Sequence, residues 1–184
     1  NFEGLLDVIQ RAGMAVLWLD NQSGCKGACD RVGYANTSKL RNPQLCPEGA
    51  CYDAIMLEDL DARIAALPAK ARARGVVLVL HAMGSHGPAY YLRSPQAFKQ
   101  FGPECSSNDL QNCSQAELLN AYDNSIIYTD HFLDSTIHWL RTQQATYAPA
   151  MVYVGDHGES LGENNLYLHG LPYAIAPDVQ TRVP

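Results

Sequence analysis

Apolar and polar positions along this chain follow two periods. Between Phe2 and Ala12 the apolar residues Leu5, Leu6, Val8 and Ile9 recur at helical spacing, with Asn1 placed to cap the start and Gly13 the end, so the pattern predicts a helix. MAVLWL, residues 14–19, is a continuous apolar run ending at Asp20, and VVLVL, residues 76–80, is another ending at His81; both read as buried strands. Residues 21–51 between them form a long polar loop, of the kind that is usually functional or stapled. Residues 53–66, DAIMLEDLDARIAA, read as one amphipathic helix broken at Pro68. Beyond the loop AMGSHGPAYYLRSP, Ser114 and Glu117 make a capping box that opens a long helix to about Gln143. MVYV, residues 151–154, reads as a third short strand, followed by Gly155, Asp156 and His157.

Continuously apolar strands separated by helices predict an α/β fold, a parallel sheet covered on both faces, in a single domain over residues 1–184. In open parallel sheets ligands bind beyond the carboxyl ends of the strands. Those ends carry Asp20, His81 with His86, and Asp156 with His157. The chain has 184 residues, is 47% hydrophobic and carries a net charge of −6, which suits a globular domain with a sizeable core. Its Lys and Arg residues are scattered rather than clustered, which argues against nucleic acid as a partner. The longest apolar runs, Met14 to Leu19 and Val76 to Leu80, fall far short of the ~20 residues of a membrane-spanning helix. The chain opens at Asn1 without a basic-then-apolar leader and stops at Pro184 after a turn-rich stretch, so a piece of a longer protein is expected.

Six cysteines fall into three local couples, Cys25 with Cys29, Cys46 with Cys51 and Cys105 with Cys113, each in a stretch rich in Gly, Asn, Pro or Ser. Closing a short loop costs less entropy than closing a long one, so the nearest-neighbour disulfides are the expected pairing. In the chain-entropy model each contributes roughly 2–3 kcal/mol before strain. The competing reading is zinc, but none of the spacings is the CxxC knuckle of structural zinc sites. Disulfides imply an oxidising compartment, periplasmic or extracellular.

The candidate chemistry lies in DHGESLGENNLYLHG, residues 156–170. An Asp and a His in succession after a strand can offer a carboxylate oxygen and an imidazole nitrogen to one cation, and His169 returns from the same loop. On the dipeptide alone, a turn-capping Asp156 and a solvated His157 would serve as well. HAMGSHGP adds His81 and His86, and four histidines with an aspartate make a donor set for a borderline metal. Within that set His81 is the candidate for a structural role, because it directly follows an apolar strand. His131 and His138 fall on the long helix and read as packing or surface residues. In DNQSGCKGACDR, residues 20–31, Asn21, Gln22 and Lys26 could offer amide donors and a cation to a phosphate, although a solvated turn is the blander reading. The loop lacks the P-loop pattern, and no GxGxxG follows a strand.

DNQSGCKGACDR, HAMGSHGPAYY, LLNAYDNSIIYTD and VGDHGESLGENNLYLHGLPYAIAP resemble, in this order and over essentially the whole chain, the soluble domain of the lipid A phosphoethanolamine transferases. That family includes the mobile colistin-resistance enzymes and belongs to the alkaline-phosphatase and sulfatase superfamily. The resemblance implies an incomplete portion of a periplasmic catalytic domain, acting as a monomer at the periplasmic face of the bacterial inner membrane. Membrane contact would run through an N-terminal transmembrane region missing here. It implies Zn2+ and transfer of phosphoethanolamine from phosphatidylethanolamine to a lipid A phosphate through a phosphorylated threonine. Asp156 and His157 match the family's zinc ligands. His86 and His169 match histidines that face the phosphoethanolamine group or hold a second zinc, and could supply acid–base catalysis. Lys26 and Gln22 match the head-group site, with Asn in place of Gln22 in some relatives. The nucleophilic threonine and a zinc-completing glutamate fall upstream of the first helix in the family. None of Thr37, Thr129, Thr136, Thr142, Thr146 or Thr181 has the matching strand-to-helix context.

Two other classes remain compatible with these residues. One is a sister enzyme of the superfamily, a phosphatase, sulfatase or phosphoglycerol transferase; the other is an inactive truncated module. Peptide mapping under non-reducing conditions is expected to return Cys25–Cys29, Cys46–Cys51 and Cys105–Cys113; free thiols or crossed pairs would overturn that pairing.

Overall fold

A computed structural model of the chain describes residues 3–183. The backbone forms two compact units that divide between Met83 and Gly84.

The first unit is built on strand β1, Ala15–Asp20, which lies between β2, Gly33–Asn36, and β3, Val76–His81, in a three-stranded parallel sheet of order β2-β1-β3. Its near-continuous apolar sequence matches its position: Ala15, Val16, Leu17 and Leu19 are all buried, and Leu19 is fully enclosed. Full burial of such a side chain contributes about 1.5–3 kcal/mol. The register sets Asp20 level with Asn36 on one side and His81 on the other, so polar groups begin together at the carboxyl edge. Helix α1, Leu5–Arg11, packs on β1. Its first turn is closed by Asp7, whose carboxylate accepts from Gly4 N–H at 2.7 Å, and Gly13 ends it at φ +92°, where a side chain would be strained. The expected cap, Asn1, lies outside the described residues.

Two elements depart from the sequence reading. Residues 53–66 are not one helix: a 3₁₀ turn, Asp53–Leu57, precedes α2, Leu60–Ala65, and α3, Ala69–Arg72, follows Pro68. The apolar face is correct, with Ile55, Met56, Leu60 and Ile64 all buried. The break falls at Glu58, which is extended, and Asp59, which turns through φ +53°, while at the start of the run buried Asp53 accepts from Asn21 Nδ2 and from Met83 N–H, each at 2.8 Å. The short strand β2, GYAN, carries too little apolar periodicity to be visible, yet β1 offers it a hydrogen-bonding edge.

The second unit is organised by α4, Gln115–Thr142, with the expected capping box: Glu117 N–H donates to Ser114 Oγ at 3.3 Å and Ser114 N–H to Glu117 Oε2 at 2.8 Å. The Ser114 hydroxyl also donates to Glu117 Oε2 at 2.7 Å, and this bond, followed by that from Ser114 N–H, holds the Glu117 carboxyl below its ordinary range. The buried stripe of α4, including Leu118, Ala121, Tyr128 and Phe132, recurs at helical spacing. Tyr90, Cys105, Leu110, Leu118, Ala121 and Leu161 form one core cluster. A two-stranded antiparallel ribbon, β4 at Ser160–Leu161 and β5 at Tyr167–Leu168, lies beside the core. His131 packs against the rings of Phe98 and Tyr128, and exposed His138 sits near Asp134, the packing and surface roles expected of them.

MVYV does not form the expected third parallel strand: residues 151–154 are unpaired, and Val152 is 92% exposed. An apolar run becomes a strand only where a neighbour takes its backbone N–H and C=O groups, and no described strand does so. The three disulfides form as expected, Cys25–Cys29, Cys46–Cys51 and Cys105–Cys113. No helix among the described residues is long and apolar enough to cross a membrane.

Asn124 ties α4 to the loop before it. Its Oδ1 accepts from Gln100 N–H at 2.9 Å and Phe101 N–H at 3.0 Å, while Nδ2 donates to Phe101 O at 2.9 Å and Glu104 Oε2 at 3.0 Å. The amide is thereby saturated at a site only 1% exposed. Asn124→Ala is expected to cost about 2–3 kcal/mol in chemical denaturation, because two amide donors lose their acceptor.

Candidate metal centre

Three histidines from separate stretches of the second unit converge. His86 lies in the loop before the Tyr90–Leu92 turn, His157 in the loop before β4, and His169 directly after β5. Their ligand atoms all lie within 4.8 Å of one another. The rings of His157 and His169 stack at 3.8 Å, and that of His86 stands edge-on to His169 at 4.8 Å and to His157 at 6.1 Å.

Hydrogen bonds settle what each ring can offer. His86 Nδ1 lies 2.6 Å from Gly87 O, His157 Nδ1 3.0 Å from Gly158 O, and His169 Nδ1 2.9 Å from Glu159 Oε1. A carbonyl oxygen only accepts, so Nδ1 of His86 and of His157 carries the proton. The Glu159 carboxylate accepts a hydrogen bond from the Tyr90 hydroxyl, at 3.0 Å on Oε2, and one from His169 Nδ1–H on its other oxygen. In the neutral form of a ring with its proton on Nδ1, the lone pair sits on Nε2. Neutral imidazoles presenting Nε2, with Nδ1 donated to carbonyl or carboxylate, are the donor set of a borderline divalent cation, so the residues present fit one. Burial, and then the Glu159 charge, push the Tyr90 hydroxyl far above its ordinary range, and the same two causes raise Tyr122.

The local backbone is shaped to hold these loops. A Cβ on Gly158 would lie 1.8 Å from Val179 O, so the His157 loop runs flush against the Asp178–Gln180 turn, and Gly158 N–H donates to Gln180 O at 3.1 Å. Gln180 Nε2 in turn donates to fully buried Ser160 at 2.8 Å.

Asp156 stands at the edge of the cluster, its side chain 83% exposed and Oδ1 3.7 Å from His157 Nε2. Gln22 and Lys26 belong to the first unit. Gln22 Nε2 donates to Ala82 O at 3.2 Å, and Lys26 is exposed at φ +47°. His81 has the structural partner expected of it: Nδ1 lies 2.6 Å from Asp20 Oδ1, and Asp20 Oδ2 accepts from Gly24 N–H at 2.8 Å. Thr37, Thr129, Thr136, Thr142 and Thr181 each donate their hydroxyl to a backbone carbonyl. Sequence reasoning missed Glu159 and Tyr90. Glu159 could have been found, as the carboxylate two residues after His157, from the rule that a metal-binding imidazole donates its second N–H to a carboxylate. Tyr90 gave no signal apart from its aromatic character.

An α/β chain in which three imidazoles converge defines a candidate metal-binding domain. The sulfatase family matches residues 1–184, and the chain belongs to that family. It is 52% identical over 182 residues to the phosphoethanolamine transferase EptA of Salmonella typhimurium, covering 99% of this chain and 32% of that protein. It is 43% identical over 188 residues to the phosphatidylethanolamine transferase Mcr-1 of Escherichia coli, covering 99% of this chain and 34% of that protein. Among solved structures, the soluble domain of lipooligosaccharide phosphoethanolamine transferase A from Neisseria meningitidis matches with a TM-score of 0.86 and 44% identity, over 98% of this chain and 52% of that one. The alkaline-phosphatase and sulfatase-like α/β fold expected from the sequence is therefore the fold of this chain. The chain spans about a third of the length of the curated relatives it matches.

Gly158→Ala is expected to lower stability by about 1–3 kcal/mol or more, since the added methyl meets backbone rather than a flexible side chain. Thermal denaturation beside Gly170→Ala, where no atom lies within 4 Å of the added Cβ but φ is +81°, separates the steric cost from backbone strain.

Proposed function

We propose that the chain is part of a zinc-dependent phosphoethanolamine transferase. The enzyme moves phosphoethanolamine from phosphatidylethanolamine to a lipid A phosphate at the periplasmic face of the inner membrane and thereby confers polymyxin resistance. The observation that carries this reading is the convergence of His86, His157 and His169 with every Nδ1 donated and every Nε2 left open. The identity to named phosphoethanolamine transferases supplies the reaction.

Zinc would be held by His157 with Asp156, and by His86 and His169. When bound, it supplies Lewis acidity that lowers the pKa of a hydroxyl nucleophile and neutralises phosphoryl charge. His86 and His169 have one open nitrogen each, so a ring that holds metal cannot also shuttle a proton; the clustering favours the metal-holding role for both. Lys26 and Gln22 offer a cation and an amide to the head-group phosphate. None of Thr37, Thr129, Thr136, Thr142, Thr146 and Thr181 has the strand-to-helix context of the family's nucleophilic threonine.

Zinc content and phosphoethanolamine on lipid A, measured by mass spectrometry for the full-length protein, test the assignment. His157→Ala and Asp156→Ala are expected to lose zinc and at least ~10²-fold to 10³-fold in transfer rate, with Lys26→Ala losing less. Retention of zinc and rate by His157→Ala would overturn it.

A further inference from the structure

Tyr90 is 1% exposed and packs in the core with Leu118 and Leu161, edge-on to Tyr122 at 5.6 Å, a setting that asks only for an aromatic ring. Its hydroxyl needs a separate account. That hydroxyl donates to Glu159 Oε2 at 3.0 Å, while the other oxygen of the same carboxylate faces His169 Nδ1 at 2.9 Å. Glu159 is itself almost enclosed, with 5% of its side chain exposed, so protein donors rather than water hold its orientation. Space for the hydroxyl is kept open by the chain: a Cβ on Gly87, beside His86, would lie 2.6 Å from the Tyr90 oxygen and 2.5 Å from Leu168 Cδ2.

We propose that Tyr90 is a positioning residue of the metal centre, which through Glu159 holds His169 in the tautomer that presents Nε2 to the cation. The carboxylate is a symmetric group on a rotatable stem. Anchored at one oxygen by Tyr90, it keeps the other aimed at Nδ1, and in the neutral ring a proton held on Nδ1 puts the lone pair on Nε2. Burial keeps the hydroxyl protonated, and hence a donor, throughout the physiological pH range. This inference rests on the metal-site reading above and adds a residue that touches neither metal nor substrate.

Nitrogen-15 NMR of the histidine rings in the zinc-free purified chain, followed by titration with zinc alone, tests the proposal. The unsubstituted chain is expected to show His169 as the Nδ1–H tautomer. Tyr90→Phe should shift it toward Nε2–H and weaken zinc binding about tenfold, the lower end of the range for residues supporting a ligand. Glu159→Gln should weaken it at least as much, and the double variant should be no weaker than Glu159→Gln alone. An unchanged His169 tautomer in folded Tyr90→Phe, or effects that add in the double variant, would overturn the proposal. If Tyr90→Phe does not fold, 3-fluorotyrosine at position 90 keeps the ring and strengthens the donor: His169 signals that move support the relay, and signals that stay in place refute it. An unsubstituted chain that binds no zinc defeats the proposed function but leaves the metal-free tautomer measurement decisive for Tyr90.

Discussion

The chemistry available at this site depends on one constraint, the donation of each Nδ1 proton to an oxygen held by the protein itself. Gly87 O, Gly158 O and the Glu159 carboxylate each take one. A histidine free to choose its tautomer presents a mixed surface of donor and acceptor. Three histidines with Nδ1 so engaged bring one ring nitrogen each to within 4.8 Å of one another. Two of those acceptors are backbone carbonyls one residue beyond the ring, and both belong to glycines packed tightly against neighbouring segments. At both positions any side chain would collide with its surroundings.

The fold was most legible where a continuous apolar run or a local cap decides, although β3, read from its sequence as a buried strand, is only half-buried along its whole length. The apolar runs at 14–19 and 76–80 became β1 and β3, and the capping box placed the start of α4. Legibility failed where long-range partners decide. Asp53 looked like a polar position on a helix, yet it is buried and anchors Asn21 and the Met83 amide, and the run is interrupted further on at Glu58 and Asp59. MVYV has the composition of a strand, but a strand is a relation between two segments, and no described segment pairs with it.

Of the site, the histidines were legible because imidazole is uncommon and the loop context concentrates it. What could not be read was the acceptor on each Nδ1, which is set by backbone turns rather than by side-chain type. Glu159 lies within a motif already singled out, and its role follows from a general rule about metal-bound imidazole. Tyr90 is separated from it by 69 residues, and only folding brings the two together. The disulfides were legible for the opposite reason, since each closes a loop short enough for separation alone to select the pairing.

A carboxylate–imidazole pair occurs in each unit, and the contrast shows what makes one of them a candidate centre. His81 with Asp20 and His169 with Glu159 have nearly equal imidazole exposure, 29% and 27%, and carboxylates exposed by 0% and 5%. Asp20, however, is also spent on the Gly24 amide and the Tyr34 hydroxyl, and His81 has the indole of Trp18 as its ring neighbour. Its carboxylate closes a turn at the end of β1, and the imidazole completes that closure. Around His169 the ring neighbours are two further imidazoles, each with its own Nδ1 committed elsewhere. The pair alone therefore decides little; convergence of open nitrogens turns the same two side chains from a strand-end brace into a ligand set.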